Sequence, residues 1–122
     1  MTSTPHAIIW AEIPVRNLSK GRTFYESVLQ VDMPVETMGP NETAVFPHTE
    51  AGGVSGHLYE GKPAGDGRGP SVSLVVRDAL PDVMARVRAA GGTVLSEAIT
   101  IPAGQFFYAN DPDGNSISFF RV

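Results

Sequence analysis

The chain has 122 residues, a composition of 42% apolar and 18% charged residues, and a net charge of −4. These values fit one globular domain with a real core rather than a disordered tail. The acidic balance and nine scattered Lys and Arg disfavour a nucleic-acid surface, and the absence of cysteine excludes disulfides, thiolate metal sites and a cysteine nucleophile.

In chain order, Ile8 to Val15 (IIWAEIPV) alternates. Ile9, Ala11, Ile13 and Val15 share one face, and Trp10 and Glu12 share the other, which predicts a strand with one apolar face. Asn17 is placed to cap a helix carried by Leu18, Phe24, Tyr25, Val28 and Leu29, with Gly21 counting against it. Residues 33–38 (MPVETM), 42–48 (ETAVFPH) and 53–60 (GVSGHLYE) are short strand candidates. Gly61 to Pro70 has many Gly and Pro and no periodicity, so it is a loop or linker.

The pattern then restarts. Ser71 to Val76 predicts a strand with Val72, Leu74 and Val76 on one face. Asp78 is a candidate N-cap, and Leu80, Val83, Met84 and Val87 form a helical stripe. Pro81 sits in the first turn, where its missing N–H costs little, and Gly91-Gly92 ends the helix. Residues 93–99 (TVLSEAI), 104–111 (GQFFYAND) and 116–122 (SISFFRV) are the closing strands, the last leaving a tight Asp113-Gly114 turn. On that last strand Ile117 and Phe119 face one way, and Ser116, Ser118 and Phe120 the other.

An offset of 61 residues aligns the two halves. It pairs Val15-Arg16-Asn17 with Val76-Arg77-Asp78, Phe46 with Phe107, Gly53 with Gly114 and Ser55 with Ser116. Strand, helix and turn signals align without a gap. The expected fold is therefore α+β: two βαβββ modules, 4–60 and 70–122, joined by a linker at 61–69. The same offset sets Glu12 against Ser73 and His57 against Ser118. With helices covering the apolar faces, Glu12, His57, Ser71, Ser73, Ser116 and Ser118 are expected to look into one cleft.

The strings IPVRNLSKGRTFYESVL, VVRDALPDVMARVRAAGG and NDPDGNSISFF resemble the vicinal oxygen chelate superfamily, also called the glyoxalase/bleomycin resistance/dioxygenase superfamily. The resemblance covers nearly the whole chain and lies nearest the small uncharacterised glyoxalase-related branch. It implies paired βαβββ modules in a curved mixed sheet around a cavity, often within a dimer, so a homodimer is expected. Metal-dependent members draw His, Glu or Gln ligands from the first and last strands of the modules. Carried over by position, those places hold Trp10, His57, Ser71 and Ser118, and only His57 is an ordinary ligand. No cofactor is expected on this reading; a divalent metal is possible but disfavoured.

Glu12 and His57 are the candidate catalytic residues. A carboxylate on a largely apolar strand is costly to bury unless paired. Glu12 is then either a general base or a structural carboxylate held by Arg16, Arg77 or a serine. His57 is a proton shuttle, an orienting donor, a lone metal ligand or a satisfied core histidine. The serines lack a nearby base and are read as small polar residues that leave room for a ligand. Trp10 and Tyr59 are expected to bind ligand as apolar walls, with Tyr108 beside them and Phe107 in the core. His6 and His48 are expected on the surface.

The expected function is small-molecule binding without metal. The alternative is a lyase, isomerase or dioxygenase-like enzyme with a metal-free acid/base site or a rearranged metal site built on Glu12 and His57. A third reading is a regulatory or interaction partner that takes no ligand. No run approaches the ~20 apolar residues of a membrane span, and the first residues lack the pattern of a secretory signal. A cytoplasmic location is expected.

Overall fold

A computed structural model describes residues 7–49 and 54–122. The strands among these residues are Trp10–Val15 (β1), Val35–Met38 (β2), Asn41–Val45 (β3), Ser55–Glu60 (β4), Val72–Val75 (β5), Thr93–Val94 (β6), Ile99–Ile101 (β7), Gly104–Asn110 (β8) and Ser116–Arg121 (β9). The helices are Leu18–Leu29 (α1) and Leu80–Ala89 (α2). His6 and the expected module start at residue 4 lie outside the described residues.

The strands form two mixed sheets. The first has the order β1-β4-β3-β2, with β1 parallel to β4 and the other pairs antiparallel. The second has the order β5-β9-β8-β6, with β5 parallel to β9, and β7 pairs with β8 along the same edge as β6, nearer the start of β8. Each parallel pair needs a crossover, and the helix following β1 or β5 begins it.

Helix α1 starts where Asn17 accepts a hydrogen bond from the Lys20 N–H at 2.9 Å. It closes on Gln30, whose left-handed conformation sends its N–H back to the Glu26 carbonyl. Gly21 does not break the helix, because it has a packing reason. A Cβ there would meet the two Val15 methyl groups at 3.0 Å, so glycine lets α1 lie close on β1.

Two local expectations are corrected. Asp78 does not cap α2; Ala79 is the cap residue and supplies no side-chain bond. The Asp78 carboxylate instead pairs with Arg86 at 2.9 Å, while the Arg86 Nε–H donates to the Val28 carbonyl at the end of α1. The charged partner between the helices outcompetes the local cap. Residues 93–99 do not form one strand either: β6 and β7 are separate. Ser96 Oγ accepts the Tyr108 N–H at 3.0 Å, so a side chain replaces a backbone partner and interrupts the ladder.

One core serves both modules. Ile13, Val15, Phe24, Val28 and Leu58 from the first pack with Val83, Val87, Phe107, Ile117 and Phe119 from the second. Burying each such side chain fully stabilises by about 1.5–3 kcal/mol. A polar network lies in the same interface. Tyr25, fully buried on α1, donates from its hydroxyl to Asp111 at 2.7 Å. The Asp111 carboxylate also accepts the N–H groups of Asp113 and Asn115 and the Asn115 side-chain amide. That amide bridges onward to the Pro14 carbonyl of β1 at 2.8 Å. Burial, then the Asp111 charge and hydrogen bond, then the Asp113 charge push the Tyr25 phenol well above its ordinary range.

Candidate functional site

The parallel pairing of β1 with β4 sets Trp10 beside Ser55 and Glu12 beside His57. The even positions of β1 therefore face away from Ile13 and Val15, which the core takes. Gly56 makes the pairing tight at this point: a Cβ there would overlap the Ala11 carbonyl oxygen. The two strands approach closely between the Trp10 and Glu12 positions.

Glu12 and His57 meet. His57 Nε2 lies 3.3 Å from Glu12 Oε1, and Trp10 Nε1–H donates to His57 Nδ1 at 2.8 Å. The His57 side chain is only 7% exposed, whereas Glu12 is 65% exposed. The burial cost expected for the Glu12 carboxylate is therefore absent. Its partner is the histidine of the alternative acid/base reading rather than Arg16, which pairs with Asp113 at 3.2 Å. His48 is exposed as expected, but it lies edge-on to Trp10 with 5.5 Å between ring centres. Tyr59, partly buried on the same face of β4, lies edge-on to His57 at 6.2 Å.

The corresponding face of the second sheet has different chemistry. Ser73 on β5 pairs with Ser118 on β9, and their hydroxyls hydrogen-bond at 2.7 Å. Ser118 is buried and Ser73 exposed. Ser116, on the face of Ser118, is partly buried opposite Asn110. Ser71 is exposed and lies one residue before β5. An aromatic patch adjoins the serines: Phe106 stacks on Phe120 with 5.5 Å between ring centres and meets the exposed Tyr108 edge-on at 5.3 Å. Phe106 had no role in the sequence reading. Alternation along β8 would have found it, because Phe107 is in the core and its neighbours must face the other way.

The candidate residues thus fall into two groups, one on each sheet. Trp10, Glu12, His57 and Tyr59 make the first; Ser71, Ser73, Ser116 and Ser118 make the second. Among the described residues, no hydrogen bond or ion pair joins the two. The modules are held together on the opposite side, through α1, α2 and the shared core.

Residues 7–119 match the family model described as Glyoxalase/Bleomycin resistance protein/Dioxygenase superfamily. The chain belongs to this superfamily. A glyoxalase/bleomycin resistance protein from Albidiferax ferrireducens T118 has 21% identity over 96% of this chain and 100% of its own, with a TM-score of 0.65. A glyoxalase-related enzyme from Fulvimarina pelagi has 19% identity over 94% of this chain and 87% of its own, with a TM-score of 0.65. The fosfomycin resistance protein FosX from Listeria monocytogenes has 14% identity over 99% of this chain and 93% of its own, with a TM-score of 0.66. At these identities the likeness is one of fold. No curated protein gives a significant match to the chain.

The superfamily's metal chemistry can be tested against the side chains present. Among the described residues, no three His, Asp or Glu side chains gather where an ion could sit. The expected places supply one imidazole and two hydroxyls, with the Glu12 carboxylate beside the imidazole, and the imidazole Nδ1 is occupied by the Trp10 N–H. Divalent ions of the zinc type take three or more strong N, O or S donors. This set does not fit that requirement. No helix among the described residues is long and apolar enough to cross a membrane.

Proposed function

We propose that the protein is a superfamily member that binds a small organic molecule without a resident metal, on the sheet face bearing Trp10, Glu12, His57 and Tyr59. The observation that carries this reading is the exposed Glu12 carboxylate, held by a buried histidine and bordered by aromatic rings. A carboxylate accepts hydrogen bonds and repels anions, while Trp10, Tyr59 and His48 offer ring faces and edges. The matching ligand is an aromatic or apolar molecule with a hydroxyl, amide N–H or ammonium group.

A second copy of the chain completes the cleft. Among the described residues, nothing pairs with the outer edge of β1 or β5, so each sheet ends in a free edge. Ile8 and Ile9 lead into β1 and Val75 lies on β5, and all three are exposed. Free edges with apolar flanks favour pairing with another chain. Set beside β1 of one copy, β5 of the other would bring Ser73, Ser118 and the Phe106–Phe120 stack across from Glu12 and His57.

Ligand-observed NMR with benzylamine, benzyl alcohol and benzoate tests the binding reading. The amine and alcohol should bind, benzoate should not, and Glu12→Ala should remove the binding. Benzoate binding that survives Glu12→Ala would overturn it. Elemental analysis tests the metal-free part: stoichiometric Zn, Ni, Mn or Fe, lost in His57→Ala, would defeat it. Sedimentation should show a dimer that an Ile9→Asp, Val75→Asp variant converts to monomer.

The 3.3 Å approach of His57 to Glu12 favours a second reading, metal-free acid/base catalysis on the bound molecule. On that reading Glu12→Gln retains binding but loses turnover; turnover at the wild-type rate would exclude Glu12 as the base.

A further inference from the structure

We propose that Trp10 is a positioning residue: its indole N–H fixes His57 in the tautomer that carries its proton on Nε2 and aims that proton at Glu12. The inference rests on the binding reading above only for its purpose, not for its geometry.

The argument starts from hydrogen-bond capacity. An indole nitrogen is a donor and never an acceptor. His57 Nδ1, 2.8 Å from Trp10 Nε1, must therefore present its lone pair. A neutral imidazole has one N–H, so the proton sits on Nε2, where Glu12 Oε1 lies 3.3 Å away. The three side chains form one directed chain: Trp10 donates to His57, and His57 donates to Glu12. The imidazolium would need an N–H on Nδ1, which would confront the Trp10 N–H donor to donor. Forming it would break the bond to Trp10 at a histidine that is only 7% exposed. The titratable groups facing His57 are Glu12 on β1 and Tyr59 on β4, and His48, past the end of β3, faces the Trp10 ring. None of them supplies an acceptor to Nδ1.

The direction of the chain matters at its outer end. Glu12 receives a proton donor from behind, so its exposed side is left as an acceptor toward a ligand. A tryptophan where relatives are expected to place a metal ligand thus has a chemical task as well as bulk. It occupies the nitrogen through which His57 would otherwise act as a base or bind an ion, and it sets which atom of His57 supports Glu12.

The test needs no ligand, so it stands apart from the binding experiments. Long-range proton–nitrogen NMR of the wild-type protein should show His57 Nδ1 unprotonated and Nε2 protonated, with a scalar coupling across the Trp10–His57 hydrogen bond. Glu12→Ala removes the competing acceptor on Nε2 and should leave that tautomer in place. Adding Trp10→Phe, which keeps an aromatic ring without the N–H, should bring in the other tautomer and move the two ring-nitrogen shifts toward each other. A wild-type His57 protonated on Nδ1 would overturn the proposal, even if Trp10→Phe failed to fold. Identical nitrogen shifts in Glu12→Ala and in the double variant would overturn the role of Trp10 as well.

Discussion

Two of the short hydrogen-bond chains that include a carboxylate, one at Asp111 and one at Glu12, are put to opposite uses. In the interface between modules, Asp111 is buried and accepts four hydrogen bonds, from Tyr25, Asn115 and two backbone N–H groups. On the face of the first sheet, Glu12 has one partner in His57 and keeps 65% of its side chain exposed. Asp111 has spent its capacity inside the protein. Glu12 has capacity left over. A carboxylate's role in this fold therefore follows from how many donors the chain itself supplies, more than from its place on a strand or turn.

The contrast can be broken at either end, and stability should show it most strongly at Asp111. Asp111→Ala strands a buried phenol, a side-chain amide and two backbone donors, and should cost about 3–5 kcal/mol in urea unfolding. A loss below about 1 kcal/mol would mean that water replaces the carboxylate readily, and that the network does not hold the modules together.

Tyr25→Phe should cost less, about 1–2 kcal/mol at neutral pH. It also has a pH signature. The folded phenol keeps its proton well above the ordinary value, because it is buried against Asp111. The unfolded phenol releases its proton near pH 10. Unfolding therefore releases a proton above that pH: the stabilisation from this group is fully present below about pH 10 and should fall as pH climbs past it. The alkaline slope should shrink in Tyr25→Phe; an unchanged slope would assign it to other groups.

At the other chain the stability effects should stay below that of Asp111→Ala. His57→Ala empties a buried position and leaves the Trp10 N–H without its acceptor, for about 1–2 kcal/mol. Glu12→Ala should stay within about 0.5 kcal/mol of wild type, because the side chain is largely in solvent. Ligand binding should rank these variants in reverse, with Glu12→Ala losing most. A single variant that damages stability and binding equally would erase the distinction.

Much of the fold was legible because local and global signals agreed. Alternation in Trp10–Val15 and Ser116–Arg121, the Asn17 cap and the Gly91-Gly92 stop all carry their cause within a few residues. The misread positions are those where a distant group won. Asp78 left its helix cap for Arg86, and Ser96 broke a strand by taking the Tyr108 N–H. The candidate site divides the same way. The repeat put Glu12 level with Ser73 and His57 level with Ser118, and strand pairing makes each module's two residues neighbours: Glu12 with His57, and Ser73 with Ser118. In the aromatic patch, Phe120 was legible on the serine face and Phe107 in the core; the contact that only strand pairing supplies is Phe106 stacking on Phe120 across β8 and β9.

The sequence by itself determined the α+β class and the faces of the strands, because periodicity and turn chemistry are properties of neighbouring residues, and its motif strings carried the resemblance to the superfamily. Only the tertiary structure decided that Trp10 bonds to His57 across 47 positions, and that Tyr25 reaches Asp111 across 86. Those contacts depend on which strand lies beside which and on how closely Gly56 lets them approach. They separate the carboxylate that holds the protein together from the one left facing solvent.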